Sequence, residues 1–316
     1  MYEGKRILVT GGAGFLGSQL VKRLGAEAKK VTVLDDLFTG RRDVLPKSER
    51  VEFVHGSVTD AALIRQLLAQ VDVVFHFAAR NIVLSTVQPE SDFRVNVEGT
   101  VQLLLNAMSF PQIERIVIAS TSSIYGNAQN LPIREEGYDA SVPYSASKLA
   151  AEVLAIAYAR TYGLPVTCLR FSNVYGPGQV ATNPYCGVVS KFITAIKEHA
   201  PLVIYGDGTQ TRDFTYVDDA MTATLLAGVS PNTLGEVLNV GTGIETSVNH
   251  LADLVGQVAG VPKPSVVNLQ KRSVDTIYRR SIDAQKLRDK TGWKPQYSLA
   301  QGLAKTYNWF LQNEEW

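Results

Sequence analysis

Cysteine is almost missing from this chain: its 316 residues include only Cys168 and Cys186, neither in a Cys-x-x-Cys pair. That excludes a disulfide framework and a cysteine-based zinc site, and it fits a reducing cytoplasm. Histidine is scarce as well. His55, His76, His199 and His250 are scattered without ligand spacing, so no metal is expected. Neither sign of charge dominates, with 31 Lys and Arg against 30 Asp and Glu, so no global field recruits nucleic acid or an acidic membrane. No apolar run approaches the ~18 residues that a membrane helix requires. Met1-Tyr2-Glu3-Gly4 leads straight into a strand-like run, without a charged-then-apolar signal segment. There is no internal repeat and no low-complexity tract. These absences predict a soluble, cytoplasmic protein whose partners are neither nucleic acid nor membrane.

What is present is an alternation. Short Val- and Ile-rich runs at Arg6–Thr10, Lys30–Leu34, Val51–His55, Val71–Phe77, Ile113–Ser120 and Pro165–Arg170 read as strands. Amphipathic stretches at Leu16–Leu24, Ala61–Ala69, Val95–Met108 and Tyr144–Tyr162 separate them. Strands joined through helices imply an α/β fold, with a doubly wound parallel sheet. After Gly176-Pro177 the loops lengthen and turn residues become denser, with helical pieces near Val188–His199, Asp218–Gly228, Val248–Val258 and Leu299–Leu311. This predicts a main domain over residues 1–176 and a smaller lobe over 177–316, partly interwoven with it.

Gly11-Gly12-Ala13-Gly14-Phe15-Leu16-Gly17 follows the first strand and opens the first helix, giving G-x-x-G-x-x-G. Such a loop allows a tight turn, a close approach of backbone to pyrophosphate, and a helix N-terminus facing the anion. Asp35 ends the second strand 18 residues after Gly17. A carboxylate there can accept hydrogen bonds from the ribose hydroxyls of NAD and repels the extra phosphate of NADP. The expected cofactor is therefore NAD in preference to NADP, in a Rossmann-type domain; Arg41 and Arg42 have two readings, as binders of a 2′-phosphate or, favoured here, as residues turned to solvent or to the adenosine pyrophosphate. Further along, Tyr144-Ser145-Ala146-Ser147-Lys148 sets a phenol and an ammonium four apart on one helix face. A nearby cation, helped by the positive nicotinamide ring, favours phenolate and is expected to draw the tyrosine pKa down, so that Tyr144 can take a proton from a sugar hydroxyl.

Taken together, these motifs resemble those of the extended short-chain dehydrogenase/reductases, in the NAD-dependent sugar epimerase/dehydratase family. The likeness spans essentially the whole chain. It includes His76-Phe77-Ala78-Ala79, Asn96-x-x-Gly99-Thr100, Ser120-Thr121-Ser122-Ser123-Ile124-Tyr125-Gly126, Arg170-Phe171-Ser172-Asn173-Val174-Tyr175-Gly176-Pro177 and Arg212-Asp213-Phe214-x-Tyr216-Val217-Asp218-Asp219. The resemblance implies Tyr144 as general base, Lys148 as the residue that holds the nicotinamide ribose and tunes Tyr144, and Thr121 as the hydroxyl on the reacting sugar oxygen. It implies cofactor contacts at Gly11, Gly14, Phe15, Leu16, Gly17, Asp35, Asp36, Ser57, Val58, Phe77, Ala78, Ala79, Arg80 and Asn96. Asn96 has a second reading, as a buried amide that positions its helix. Substrate contacts are expected at Thr121, Ser122, Ser123, Tyr144, Asn173, Arg212, Arg272 and Asp275, while Asp218 and Asp219 are read as helix caps. Two departures stand out: Ser57 replaces the usual adenine-contacting Asp, and Val274 replaces the Gly before Asp275.

The dehydratases of this family carry Asp-Glu after the Thr, and its decarboxylases tend to carry a Glu; here the pair is Ser122-Ser123. Those hydroxyls titrate far too high for acid/base work at neutral pH, and 4-epimerisation needs no further acid. The expected activity is thus that of a UDP-glucose/UDP-galactose type 4-epimerase, working as a homodimer on a UDP-hexose. The alternatives are a UDP-glucuronate epimerase, another nucleotide-sugar dehydratase, decarboxylase or reductase, and a non-catalytic NAD sensor. Arg279 and Arg280 have two readings, as a solvated pair or as partners of a uronic-acid carboxylate. Cys186 is either a packing residue or part of the sugar pocket.

Overall fold

The computed structural model describes residues 1–179, 187–272 and 275–313, so Cys186 and Val274 lie outside the described residues. Its centre is a seven-stranded, wholly parallel sheet. In chain order the first six strands are β1 (Arg6–Thr10), β2 (Lys30–Asp35), β3 (Val51–His55), β4 (Val73–His76), β5 (Arg115–Thr121) and β6 (Val166–Phe171). Across the sheet they run β6-β5-β4-β1-β2-β3, and the strand Val237–Val240 adds to the free edge of β6, with Val237 opposite Cys168. The inner strands are buried on both faces, as their continuous Val, Ile and Leu runs require. The chain reverses its winding between β1 and β4, and open α/β sheets bind ligands at the strand ends beside such a switch.

The six expected strands and four expected helices of the first half all occur, with ends shifted by a few residues. One shift has chemical meaning. β5 runs one residue past Ser120, so Thr121 is the last residue of a rigid strand and not part of a loop. The stretch expected as one helix from Val95 begins as a wide π-turn at Phe93–Glu98 before Gly99–Ala107 continues as α-helix. Such turns often mark functional sites. Two short helices, Ile82–Val87 and Gln285–Thr291, were not foreseen.

Beyond residue 176 the chain does not stay on one side of the molecule. The helix Val217–Val229 packs on β5, β6 and the first helix, Phe15–Glu27, and Val237–Val240 then joins the main sheet. The rest forms a smaller layer: Leu202–Tyr205 pairs with Val266–Leu269, and the helices Val188–Lys197, Val248–Val258 and Leu299–Gln312 pack around them. One hydrophobic core joins the two parts, running from Tyr2 and Phe75 through Phe192 to Trp293 and Phe310. Trp293 is fully buried, and its indole N–H donates to the Asp219 carbonyl at 3.0 Å. Truncating such a ring costs roughly 3–5 kcal/mol.

Candidate active site

The glycine loop is shaped by close approach. Gly11 has φ +67°, and a Cβ there would stand 2.5 Å from the Ala78 backbone nitrogen. A Cβ on Gly17 would meet the Gly11 carbonyl oxygen at 2.2 Å. Gly14 begins the helix Phe15–Glu27 with no side-chain cap and no acidic residue in the first turn, which leaves this positive helix end to an external anion. Gly11, Gly14, Phe15, Leu16 and Gly17 all line a cavity of about 400 Å³. It also takes in Phe77, Ala79, Thr121, Tyr144 and Lys148, together with Asn81, Ser172 and Gln179, which sequence reasoning had not singled out.

A smaller recess adjoins the same loop and is lined by Asp35, Asp36, Ser57, Val58, Ala78 and Arg80. The Asp35 carboxylate already accepts from Ala13 N–H at 2.9 Å and Leu37 N–H at 2.8 Å, and so fixes the loop; burial raises its pKa. Each carboxylate oxygen keeps a free lone pair for a further donor. Asp36 pairs with Arg80 at 2.7 Å, and that guanidinium lies over Phe38 at 4.1 Å. Ser57 bonds Thr59, which is local turn chemistry. Arg41 pairs with Asp43, and Arg42 stacks on Phe53. Asn96 lines neither space. Fully buried, it accepts from Arg80 N–H at 2.7 Å and donates to Asp92 and Ser147, so it ties the Arg80 loop to the helix carrying Tyr144. Of its two readings, the structure supports the positioning amide.

Thr121, Tyr144 and Lys148 converge at the C-terminal end of β5. The helix Pro143–Tyr162 starts with proline, whose missing N–H costs nothing in the first turn, and stops at Gly163 in the left-handed conformation. Tyr144 and Lys148 lie one turn apart on it. The Tyr144 hydroxyl faces that of Thr121, whose hydrogen bond lowers the phenol pKa, yet burial outweighs this and pushes it up to about 12. The expected lowering counts the positive nicotinamide ring as well as Lys148; among the protein's own groups, burial of this partly exposed phenol outweighs the Thr121 hydrogen bond. Burial acts on Lys148 in the opposite sense and draws its ammonium down to about 8, against smaller upward pulls from Cys168, Glu152 and Asp92.

A buried network braces this triad, and the sequence motifs gave no notice of it. Glu152, four residues beyond Lys148 on the same helix, pairs with Arg170 of β6 at 2.6 Å and accepts from Ser120 at 2.7 Å. Arg170 also donates to the Tyr125 hydroxyl, which in turn donates to Asn239 on the late strand Val237–Val240. Burial raises the Tyr125 pKa and so keeps it a neutral donor. The helix bearing Tyr144 is thereby locked to the ends of three neighbouring strands.

A second cavity, about 330 Å³, opens beyond Ser123 towards the smaller layer. Asn173, Arg212, Arg272 and Asp275 line it as expected, joined by Tyr205, Gln210 and Arg280. Arg272 grips Asp275 at 2.7 Å and stacks on Tyr205 at 4.6 Å. Arg212 is bonded by Nη1 to the Thr211 carbonyl, and burial lowers its pKa. Ser122 is buried and lines neither cavity. Arg279 pairs with Glu245 on the surface. Asp218 and Asp219 do not cap the helix they open: Asp218 pairs with Arg23, and Asp219 accepts from Gln296 and Tyr297 N–H groups, tying the C-terminal segment down.

Fold and site together define an extended short-chain dehydrogenase/reductase: a doubly wound parallel sheet with a dinucleotide loop and a Thr-Tyr-Lys triad at its switch point. The family model "NAD dependent epimerase/dehydratase family" matches residues 7–241. The chain belongs to that family of NAD-dependent nucleotide-sugar enzymes. It is 38% identical to the UDP-glucose 4-epimerase of Mycolicibacterium smegmatis over 98% of this chain and 100% of that one. Its fold superposes with TM-score 0.92 on UDP-glucose 4-epimerase of Thermotoga maritima solved with UDP-glucose (33% identity, 98% and 100% covered). It matches the dTDP-glucose 4,6-dehydratase of Streptomyces venezuelae, solved with NAD, with TM-score 0.91 (34% identity, 98% of each chain). Among the described residues, no helix is long and apolar enough to cross a membrane.

Proposed function

We propose that this protein is a 4-epimerase of a UDP-hexose, of the UDP-glucose/UDP-galactose type. The observation that carries this reading is the end of β5, where Thr121 and Ser123 offer hydroxyl groups to the two cavities and Thr121-Ser122-Ser123 holds no carboxylate. Removal of a 6-hydroxyl demands an acid for the leaving group and a base for C5, and Ser123 instead contacts Arg280. Interconversion at C4 demands only one proton acceptor beside a redox cofactor.

NAD fits the residues present, since Gly11, Gly14 and Gly17 line a cavity at the uncapped, acid-free start of the helix Phe15–Glu27, where a pyrophosphate finds backbone N–H groups. Gly11, Gly14, Phe15, Leu16 and Gly17 would hold the pyrophosphate. Asp35, Asp36, Ser57, Val58 and Arg80 would hold the adenosine, and Phe77, Ala78, Ala79 and Lys148 the nicotinamide riboside. When bound, NAD supplies a reversible hydride acceptor for C4. Tyr144 removes the O4 proton while Thr121 donates a hydrogen bond to the same oxygen. After the 4-keto sugar has turned about its phosphate linkage, Tyr144 returns the proton and the opposite configuration results. Asn173, Arg212, Arg272 and Asp275 anchor the nucleotide and diphosphate, so the sugar turns while its handle stays fixed. On this reading residues 1–176, with the returning segment 217–240, carry the cofactor and chemistry; the remainder of 177–316 carries the nucleotide.

A homodimer is part of the proposal. Phe93, Leu105 and Val153 are large apolar side chains exposed on the helices that begin at Phe93 and Pro143, which pack on each other and could form a four-helix bundle with a second copy. Proton NMR of the purified protein with UDP-glucose and catalytic NAD tests the reaction. The galacto-configured anomeric signal should appear without net NADH; a 4-keto-6-deoxy product instead would replace epimerase by dehydratase.

A further inference from the structure

Arg280 points into the second cavity, yet only 4% of its surface is exposed. Among the described residues, its Nε and Nη2 meet no acceptor, and Nη1 reaches only the Ser123 hydroxyl at 3.4 Å. A buried guanidinium without acceptors is strongly destabilising unless an anion arrives to complete it. Burial, with Arg212 across the cavity, lowers its pKa to about 9, so it remains charged at neutral pH. The nearby carboxylates are engaged elsewhere: Asp275 with Arg272, Glu245 with Arg279, and Asp213 with Thr242 and Gly243. The stretches 180–186 and 273–274, outside the described residues, contain no Asp or Glu.

The unpartnered atoms are also the right ones. Nε and Nη2 form one edge of the guanidinium, the edge that meets a carboxylate through two parallel bonds. Arg272 uses this edge on Asp275, Arg279 uses it on Glu245, and Arg6 uses it on Asp72. In Arg280 alone of these four is the edge open. It stands beside Ser123, two residues beyond Thr121, hence at the end of the cavity nearest the catalytic hydroxyl. Among the described residues, Arg212, Lys271, Arg272 and Arg280 line the cavity against a single acid, Asp275. A diphosphate answers part of that excess, not all of it.

We infer that Arg280 receives a carboxylate carried by the sugar itself, so that the preferred substrate is a UDP-hexuronate. Carbon 6 is the position whose oxidation to an acid leaves the pyranose ring and the C4 hydroxyl intact. This inference rests on the 4-epimerase reading and names its sugar. It also adds a demand: once C4 is a ketone, a C6 acid is a β-keto acid and can lose CO₂. The Arg280 fork, with Ser123 beside it, holds that carboxylate as an ion pair and opposes the loss.

Rates of UDP-glucuronate and UDP-glucose conversion, followed by proton NMR with catalytic NAD, test the inference. The kcat/KM ratio in favour of UDP-glucuronate should be at least about tenfold, and Arg280→Met should lower it by about 100-fold, with a smaller loss in Arg280→Lys. Should Arg280→Met fail to fold, the wild-type ratio and Arg280→Lys decide. A ratio at or below one in the wild type overturns the inference and leaves the epimerase reading standing. So does a ratio unchanged by both substitutions while UDP itself binds more weakly, which would assign Arg280 to the diphosphate. A pentose product with CO₂ sustains the carboxylate site and overturns the epimerase reading. If neither sugar is converted, calorimetry with NAD-loaded Tyr144→Phe protein compares their affinities, and equal binding overturns the inference.

Discussion

Lys148 is buried and Tyr144 partly so, and burial disfavours the charged form of each. Tyr144→Phe removes only the proton acceptor, so turnover should fall by about 10³-fold while NAD binding persists; NMR turnover together with cofactor titration checks this. Loss of both would mean that the phenol serves the fold. For Lys148 the linkage runs opposite to that of a salt-bridged lysine. Its pKa in the folded protein, about 8, lies below the ordinary 10.5. Below about 8 the folded protein bears the full cost of a buried ammonium, and that cost fades as pH rises towards 10.5. Lys148→Met should therefore raise the urea midpoint at pH 7, lose that gain by about pH 10.5, and be inactive throughout; a midpoint series over pH reads it directly. Gly11, Gly17, Tyr144 and Lys148 were legible in sequence because local spacing defines them. Arg280 was legible only as one of an arginine pair with two readings, and Gln210 and the Glu152–Arg170 pair were not legible, since residues far apart in the chain give them their environment.

Among the elements, the helix Pro143–Tyr162 bears the chemistry and is held by one buried ion pair. Glu152→Gln leaves Arg170 with an uncompensated buried charge and should cost about 3–5 kcal/mol in urea unfolding, a size that an exposed pair never reaches. β4 carries a comparable constraint. His76 is sealed between Thr10 at 2.7 Å and Thr100 at 2.9 Å, and burial holds its pKa near 3 against an ordinary 6.5. The unfolded chain binds a proton below 6.5 and the folded one does not. Stability should thus fall by about 1.4 kcal/mol per pH unit from this residue alone as pH drops from 6.5 towards 3. Urea midpoints at pH 7, 5.5 and 4.5 should show a shallower slope in His76→Gln. Element type was read well where period and length agreed, as in β1 to β6. The π-turn at Phe93–Glu98 escaped because its residues read as ordinary helix; Asn96, within it, is engaged by the Arg80 loop, a contact far away in the chain.

For the whole molecule, the proposed dimer makes a simple demand. Val153→Glu places a charge on the exposed apolar face of the long helix and should halve the mass seen by analytical ultracentrifugation without loss of folding. A single copy already in the parent protein would remove the dimer. The parallel sheet was foreseeable from the alternation of strands and helices up to Arg170. The identity of the late strand was not, because Val237–Val240 is too short for its period to reveal which sheet it joins.

That strand has a consequence for how the protein is made. β6 cannot gain its last neighbour until residue 240 has left the ribosome, some time after the glycine loop and the Tyr144 helix are complete. Until then the nascent chain carries an open, apolar strand edge, the feature most prone to pair with another copy. Asn239 arrives with the same strand and brings the partner of the Tyr125 hydroxyl. Closure of the sheet and final alignment of the catalytic helix are thus one event, timed late in synthesis, and a chaperone that shields this edge would act before any chemistry is possible.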